Sequence, residues 1–274
     1  MRFPDWLIYI LVLAALIFVL SKIGERAPAP DAPQTHTYSG PLLPSASTLD
    51  TEVLVEVGPV TEGAGTAFPV SGDGWWLTAR HVVDSCPHLG IQVGGGSAIQ
   101  VLQMRMAEGA DLALIKTFRG PAALGMNFEE NKMRVGQIAY HFGFPQGVPG
   151  EAASRLIGRE RLLARGRYHI DEPILAWAEV GRSHNRRGSL AGISGGPAFN
   201  AEGHVIGVTL AESVRRGRLY TAAPETILAF LKLAKISANG LPIAPLTPQN
   251  YGLQNDKLRQ ALRVAQVVCT TNTH

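Results

Sequence analysis

Short apolar runs rich in β-branched and aromatic residues recur from about residue 50 onward, and glycine or proline residues separate them. The runs lie at 52–57, 65–69, 74–79, 90–93, 99–103, 112–116, 137–142, 153–163, 174–179, 197–200, 204–211 and 218–222. Many short strands at such spacing, with few long helical patterns between them, are typical of β-sandwiches and β-barrels. The sequence therefore predicts an all-β domain.

Helical spacing is confined to the C-terminal part of the chain. Apolar residues at 227, 228, 230, 231 and 233 predict a helix over 225–235 that closes the domain, which we place at 48–236. A proline-rich connector follows at 241–250. The apolar residues of 255–268 then fall on one helical face, which predicts a second, amphipathic helix. Residues 237–274 are thus expected to pack on the domain or to contact a partner chain.

The N-terminus carries an uncharged stretch of 16 residues, 6–21, between Asp5 and Lys22. A full membrane span needs about 20 residues, and flanking side chains can extend a shorter one by snorkelling. We predict an uncleaved transmembrane signal anchor at 1–23. A cleaved signal peptide and a buried helix remain alternatives. Residues 24–47, rich in proline and alanine, are predicted to form a flexible tether.

Composition excludes several classes of protein. The net charge of +3 is small for a nucleic-acid binder, and no nucleic-acid-binding or nucleotide-cofactor motif is present, so neither partner is expected. A metal site at Cys86, His88 and His81 would lack a fourth ligand at suitable spacing, so no metal is expected. Cys86 and Cys269 could form a disulfide or remain two buried thiols, and the sequence leaves both alternatives open.

One serine has the surroundings of a nucleophile. Ser194 lies in the run Gly-Ile-Ser-Gly-Gly-Pro at 192–197, where glycines permit a sharp turn and a close backbone approach. A serine hydroxyl needs a neighbouring base, which a carboxylate usually orients. His81 ends a hydrophobic strand, and Asp111 directly precedes another. These three residues are the predicted nucleophile, base and orienting acid.

Other residues of the same types lack such flanks. Asp84 is predicted to be a turn or capping residue, and neither Ser183 nor Ser189 has glycine on both sides. The remaining histidines considered are predicted to be structural or exposed, namely His141, His169, His184 and His204.

The motifs at 65–68, 77–83, 111–115 and 192–197 occur in the order seen in trypsin-like serine proteases, and the chain most closely resembles the bacterial HtrA/Deg-type branch. The stretch 135–145 also resembles that branch. The similarity covers about residues 50–235, and no PDZ-like domain follows. In an α/β-hydrolase esterase, the nucleophile precedes the acid and the histidine along the chain. Here the order is His81, Asp111 and Ser194, which excludes that class.

The resemblance implies a trypsin-like fold of two packed six-stranded β-barrels, with an N-terminal transmembrane helix and C-terminal helices added to it here. The catalytic residues would lie in the cleft between the barrels. It implies that His81 is the general base and then the general acid, that Asp111 orients it, and that Ser194 attacks a peptide carbonyl. The backbone N–H groups of Gly192 and Ser194 match the oxyanion-hole positions.

The resemblance also indicates where a substrate side chain would bind. The segment before the serine and the strand after it form the pocket walls, here Gly188 and Thr209, Leu210 and Ala211. Because Gly188 stands where an aspartate would select Lys or Arg, a small or medium apolar side chain is expected. A further hypothesis is that arginines rim the cleft and favour acidic substrates, namely Arg182, Arg186, Arg187, Arg215, Arg216 and Arg218.

The functional prediction is a serine endopeptidase held at the inner membrane by a single span, with its catalytic domain in the periplasm or cell exterior. It would act on protein or peptide substrates in envelope protein processing or quality control, and it could form a homo-oligomer. The alternative is a catalytically silent or latent trypsin-like domain that binds peptides or scaffolds a complex.

Overall fold

The computed structural model describes residues 40–59, 63–94, 96–183 and 188–271. The predicted signal anchor at 1–23 and most of the predicted tether lie outside these ranges. Within them, no helix has both the length and the apolar character needed to cross a membrane.

The described residues fold mainly as β-structure, as predicted. The strands are β1 (Glu52–Val57), β2 (Gly63–Pro69), β3 (Trp75–Ala79), β4 (His88–Gly94), β5 (Ser97–Gln100), β6 (Gln103–Met106), β7 (Leu112–Lys116), β8 (Ile138–Gly143), β9 (Gly150–Gly166), β10 (Ile170–Arg182), β11 (Pro197–Phe199), β12 (Val205–Ser213), β13 (Arg218–Ala222) and β14 (Ala265–Thr270). The helices are α1 (Arg80–Val83), α2 (Pro224–Leu233) and α3 (Tyr251–Gln260), with 3₁₀ turns at Glu130–Lys132, Pro145–Gly147 and Val214–Arg216.

Two sheets of seven strands each make up the fold. In the sheet formed mainly by the second half of the chain, the strand order is β1-β9-β10-β13-β12-β11-β8. β8 also pairs with β9, so strands β8 to β13 close on themselves. β1 lies outside this closed set and pairs with β9 in parallel, with Val53 opposite Leu162.

The other sheet has the order β5-β4-β14-β2-β3-β7-β6. Only residues 101 and 102 separate its two outer strands, β5 and β6, along the chain. The Val101 N–H donates to the Leu89 carbonyl, and the Leu102 N–H donates to the Lys116 carbonyl. The segment from β5 to β6 therefore passes from one edge of the sheet to the other and links them.

Each sheet has a buried cluster of its own, around Trp177 in one and around Trp76 in the other, and a further cluster joins the two sheets. A single cluster of buried side chains includes Phe68, Leu77 and Leu114 of one sheet and Phe199 and Val208 of the other. Helix α2 adds three buried side chains to the same cluster, Ile227, Phe230 and Leu231. The predicted helix at 225–235 is thus confirmed at Pro224–Leu233, where it covers the core.

The predicted helix over 255–268 is wrong in its second half. Helix α3 ends at Gln260, Leu262 takes a left-handed conformation with φ of 55°, and strand β14 begins at Ala265. The apolar residues of this segment also alternate, and Ala265, Val267 and Cys269 are all buried. Because β14 pairs with β2 on one side and β4 on the other, tertiary pairing decides between two periods that the sequence permits.

A disulfide joins Cys86 to Cys269, which resolves the alternative that the sequence left open. Cys86 comes shortly after helix α1, and Cys269 lies in β14. The bond therefore fixes the C-terminal strand beside the short helix that contains His81.

Candidate active site

His81 and Asp111 are brought together by the pairing of two strands. His81 lies in α1 directly after β3, Asp111 directly precedes β7, and β3 pairs with β7 from Ala79 opposite Leu112 onward. His81 Nδ1 lies 2.6 Å from Asp111 Oδ2, and the His81 backbone N–H donates to Oδ1 at 2.9 Å. The carboxylate thus fixes both the imidazole ring and the backbone of the same residue.

The groups around the His81 ring shift its pKa. Burial alone would lower the pKa of His81, but the charge and the hydrogen bond of Asp111 outweigh that effect. The Arg167 guanidinium opposes Asp111 in part, and the resulting pKa is raised above its ordinary value of 6.5. The imidazolium form is therefore stabilised, which is the form that a general base reaches after accepting a proton.

Glu172 of β10 and Tyr168 of the turn before β10 also hold Asp111, and sequence reasoning missed both. The Tyr168 hydroxyl donates to Asp111 Oδ1 at 3.1 Å, and the Asp111 N–H donates to Glu172 Oε1 at 2.7 Å. Glu172 is 1% exposed, and burial raises its pKa to about 8, against an ordinary value of 4.5. Both residues lie about 60 positions along the chain from Asp111, and no local motif marks them.

The Ser194 turn is held between β2 and β12. The Gly195 N–H donates to the Thr209 carbonyl at 2.7 Å, and the Thr209 N–H donates to the Gly196 carbonyl at 2.8 Å. On the other side, the Thr66 N–H donates to the Ser194 carbonyl at 2.8 Å. The Ser194 hydroxyl donates to the Leu210 carbonyl at 3.2 Å.

The glycines of the turn are required by close backbone contacts and by conformation. Gly192 has φ of +99°, and a Cβ there would lie 2.5 Å from the Phe144 carbonyl oxygen. Gly195 has φ of +85°, and a Cβ there would lie 2.1 Å from the Thr66 carbonyl oxygen. At both positions the crowding comes from the protein's own backbone.

Two backbone N–H groups of the turn are available as donors. Among the described residues, neither the Gly192 N–H nor the Ser194 N–H has a hydrogen-bond acceptor, whereas the Ile193 N–H between them donates to the Leu190 carbonyl at 2.9 Å. The Ala191 carbonyl accepts from the Gln146 N–H at 2.5 Å. Because the N–H and C=O bonds of a trans peptide unit point in opposite directions, the Gly192 N–H faces away from Gln146.

The four residues predicted to bind substrate occupy different positions. Leu210 and Ala211 line a cavity of about 220 Å³ together with His81 and Asp111, which places β12 and the imidazole in one cleft. Thr209 is fully buried. Gly188 lies on the loop before the serine turn, where its carbonyl accepts from Arg182 at 2.6 Å.

Thr209 has a buried histidine as its partner. His141 Nδ1 lies 3.0 Å from the Thr209 hydroxyl, and its Nε2 lies 2.7 Å from the Ser154 hydroxyl. Burial lowers the pKa of His141 to about 3, so the ring is neutral at physiological pH. His141 thus supports the strand that anchors the serine turn from inside the core.

The predicted arginine rim is only partly free to attract acidic groups. Arg182 Nε donates to Glu179 Oε1 at 2.5 Å, and Arg218 Nη1 donates to Glu160 at 2.5 Å. Arg215 and Arg216 are exposed, and Arg186 and Arg187 lie outside the described residues. A preference for acidic substrates stays a prediction.

Comparisons with known proteins agree with this geometry. A family model described as a trypsin-like peptidase domain matches residues 65–208. A probable periplasmic serine endoprotease DegP-like of Brucella suis biovar 1 (strain 1330) is 30% identical over 159 residues, covering 56% of this chain and 28% of the relative. A protein of the same description from Pseudomonas putida (strain GB-1) is 24% identical over 156 residues, covering 57% of this chain and 31% of the relative.

A solved structure shares the fold. The crystal structure of the Rv3671c protease from M. tuberculosis in its active form has a TM-score of 0.51 and 19% identity, and the match covers 67% of this chain and 76% of that chain. The matched region amounts to less than a third of the length of either DegP-like relative. The predicted relationship is confirmed: the chain belongs to the family of trypsin-like peptidase domains, with relatives in the HtrA/Deg branch.

Proposed function

We propose that the protein is a serine endopeptidase in which His81, Asp111 and Ser194 form the catalytic triad. The observation that carries the proposal is the double hydrogen bond from His81 to Asp111 at the cleft where β12 holds the Ser194 turn. Ser194, His81 and Asp111 would supply the nucleophile, the base and the orienting acid that acyl transfer requires.

In the proposed reaction, His81 Nε2 accepts the proton of the Ser194 hydroxyl as Oγ attacks the peptide carbonyl. Asp111 keeps Nδ1 protonated and stabilises the imidazolium. The imidazolium then gives its proton to the leaving amine, and the acyl-enzyme remains on Ser194. Water, deprotonated by His81, releases the acyl group. For the first step the Ser194 hydroxyl must leave the Leu210 carbonyl and turn toward His81, with which it makes no hydrogen bond in the structure.

The negative charge that develops on the substrate oxygen would be stabilised by the N–H groups of Gly192 and Ser194. Both lack an acceptor among the described residues, as a vacant oxyanion hole requires. Removing one such donor typically costs a factor of about 10² to 10³ in rate. Gly192 is therefore required for its backbone donor as well as for its lack of a side chain.

Substrate would bind along the edge formed by Leu210 and Ala211. β12 and β13 shift register between Thr209 and Ala211, so Leu210 has no directly opposed partner in that ladder. The Leu210 carbonyl is therefore free of that ladder, and it accepts the hydrogen bond from the Ser194 hydroxyl. With Gly188 offering no side chain to the pocket, we propose cleavage after small or medium apolar residues.

We further propose that the enzyme is anchored in the inner membrane by residues 1–23 and acts in the periplasm on envelope proteins. The names of the DegP-like relatives, which describe them as periplasmic, support the compartment. The disulfide between Cys86 and Cys269 supports it independently, because disulfides persist in oxidising compartments. Processing or quality control of envelope proteins would suit such an enzyme.

Incubation of the full-length protein in detergent with unfolded β-casein tests the activity. We expect the wild type to produce peptide fragments and the Ser194→Ala variant to produce none, with equal thermal unfolding midpoints for both. Mass spectrometry of the fragments reads the residue before each cleaved bond, where alanine, valine and similar residues should predominate. Binding of casein without fragments from either protein would favour the catalytically silent alternative.

A further inference from the structure

The loop that leads into the serine turn, 188–191, is held from three sides. Arg182 of β10 donates to the Gly188 carbonyl at 2.6 Å, and the Gln146 side-chain amide donates to the Ser189 carbonyl at 2.9 Å. From β12, Glu212 Oε2 accepts the Leu190 N–H at 2.8 Å, and Oε1 accepts the Ser189 hydroxyl. Glu212 is the side chain that contacts two consecutive residues of the loop.

The Glu212 contacts are charge-assisted, which makes them stronger than hydrogen bonds between neutral groups. The pKa of Arg182 is raised mainly by hydrogen bonding to Glu179, and the charge of Glu212 raises it further. Arg182 therefore lies close enough to Glu212 for the two charges to attract each other. Arg182 and Glu212 thus attach the loop to β10 and to β12.

The position of this loop determines the direction of the proposed oxyanion donor. The Leu190 carbonyl accepts the Ile193 N–H at 2.9 Å, which closes a turn around Ala191 and Gly192. The Gly192 N–H belongs to the same peptide unit as the Ala191 carbonyl. If Ser189 and Leu190 move away from β12, this turn moves with them, and the Ala191 carbonyl can lose its contact with the Gln146 N–H.

We propose that Glu212 is a positioning residue that keeps the peptide unit between Ala191 and Gly192 turned so that the Gly192 N–H points into the oxyanion hole. This inference rests on the proposed function. It adds a residue that no motif in the sequence marks. Glu212 acts through the loop, because it binds Ser189 and Leu190 and leaves the peptide unit free to receive a substrate oxygen.

The test is the rate at which a fluorophosphonate probe modifies Ser194 in the full-length protein. Saturation kinetics separate the probe's binding constant, KI, from its reaction rate constant, kinact. Because the phosphonyl oxygen occupies the oxyanion hole as the bond forms, Glu212→Ala should lower kinact by at least about 10-fold while KI changes little. Glu212→Gln, which keeps an acceptor for the Leu190 N–H, should show a smaller loss.

Glu130→Ala is the matched control. Glu130 also accepts a backbone N–H, that of Glu225, and pairs with Arg159, but it contacts no residue of the loop among those described. Its kinact should equal that of the wild type. Thermal unfolding of each variant shows whether it folds, and Glu212→Gln serves as the test if the alanine variant does not.

The outcomes separate the two proposals. Equal kinact for the wild type and a folded Glu212 variant would overturn the positioning role while leaving the proposed function intact. A loss of kinact shared by Glu130→Ala would also overturn it, because general weakening of the barrel would then explain the effect. No labelling of wild-type Ser194 would instead remove the proposed function, and the role of Glu212 with it.

Discussion

Replacing Glu172 by glutamine should change how the stability of the protein depends on pH. The pKa of Glu172 is about 8 in the folded protein, because burial raises it and the Asp111 charge adds to that rise, while the hydrogen bond from the Asp111 N–H opposes them in part. Its ordinary value is 4.5. Between these two pH values the folded protein retains a proton that the unfolded chain has released.

The sign and size of the effect follow from this difference. The contribution to stability is fully present below pH 4.5 and is lost as the pH rises toward 8, because the unfolded state binds fewer protons over that interval. At about 1.4 kcal/mol for each pH unit, the free energy of unfolding should fall by up to about 5 kcal/mol. Glutamine keeps an oxygen acceptor for the Asp111 N–H and does not titrate, so the variant should lose this part of the pH dependence.

The assay is urea unfolding of both proteins at pH 5 and pH 9, followed by tryptophan fluorescence. Between pH 5 and pH 9, we expect the free energy of unfolding of the wild type to fall by several kcal/mol more than that of Glu172→Gln. Glu202→Gln, which alters an exposed glutamate, serves as the control and should follow the wild type. An equal change in the free energy of unfolding for the wild type and Glu172→Gln would show that Glu172 does not cause the pH dependence.

The remaining predictions concern three other parts of the molecule. Because the pKa of buried His141 is about 3 rather than 6.5, the wild type should lose several kcal/mol of unfolding free energy on acidification from pH 6.5 to 4, and His141→Asn should lose much less. Reducing the bond between Cys86 and Cys269 should lower the unfolding free energy by about 2 to 5 kcal/mol, measured by urea unfolding with and without dithiothreitol. Asp111→Asn should lower the rate of casein cleavage by about 10⁴-fold and move the acid limb of the pH–rate profile to lower pH, because the charge that raises the pKa of His81 is removed; an unmoved acid limb would contradict that assignment.

Local pattern is sufficient to predict much of the fold. The runs at 52–57, 112–116 and 218–222 are strands with the predicted limits, Glu52–Val57, Leu112–Lys116 and Arg218–Ala222. Each is a short apolar segment with turn residues nearby, so nearest neighbours in the sequence define it. The proximity of His81 and Asp111 was expected from the resemblance to trypsin-like proteases, and the structure places each residue beside one strand of the antiparallel pair β3 and β7.

Long-range pairing accounts for what the sequence did not predict. β14 was predicted as helix because its apolar residues fit both periods, and its conformation depends on the free edges of β2 and β4. β1 was predicted as a strand, but its parallel partner, β9, lies about 100 residues further along the chain and was not predicted. A strand that adds to a sheet from a distant part of the chain leaves no local signal of its partner.

The polar residues that support the candidate site were hidden for a similar reason. Tyr168 and Glu172 contact Asp111, and Glu212 contacts the loop 188–191, each from another part of the chain. Glu212 is the exception that spacing could have suggested, since it directly follows the residues predicted to line the pocket. A buried glutamate such as Glu172 is unusual enough to indicate a specific role only once its burial is known.

The most direct test of the central claim is covalent labelling of Ser194 in the natively folded, full-length protein. After reaction with a fluorophosphonate probe and proteolytic digestion, mass spectrometry identifies the modified residue. We expect one modified serine, Ser194, and loss of labelling in His81→Ala, since the base that activates the hydroxyl is then absent. Absence of modification in the wild type, or equal labelling of His81→Ala, would contradict the proposed triad.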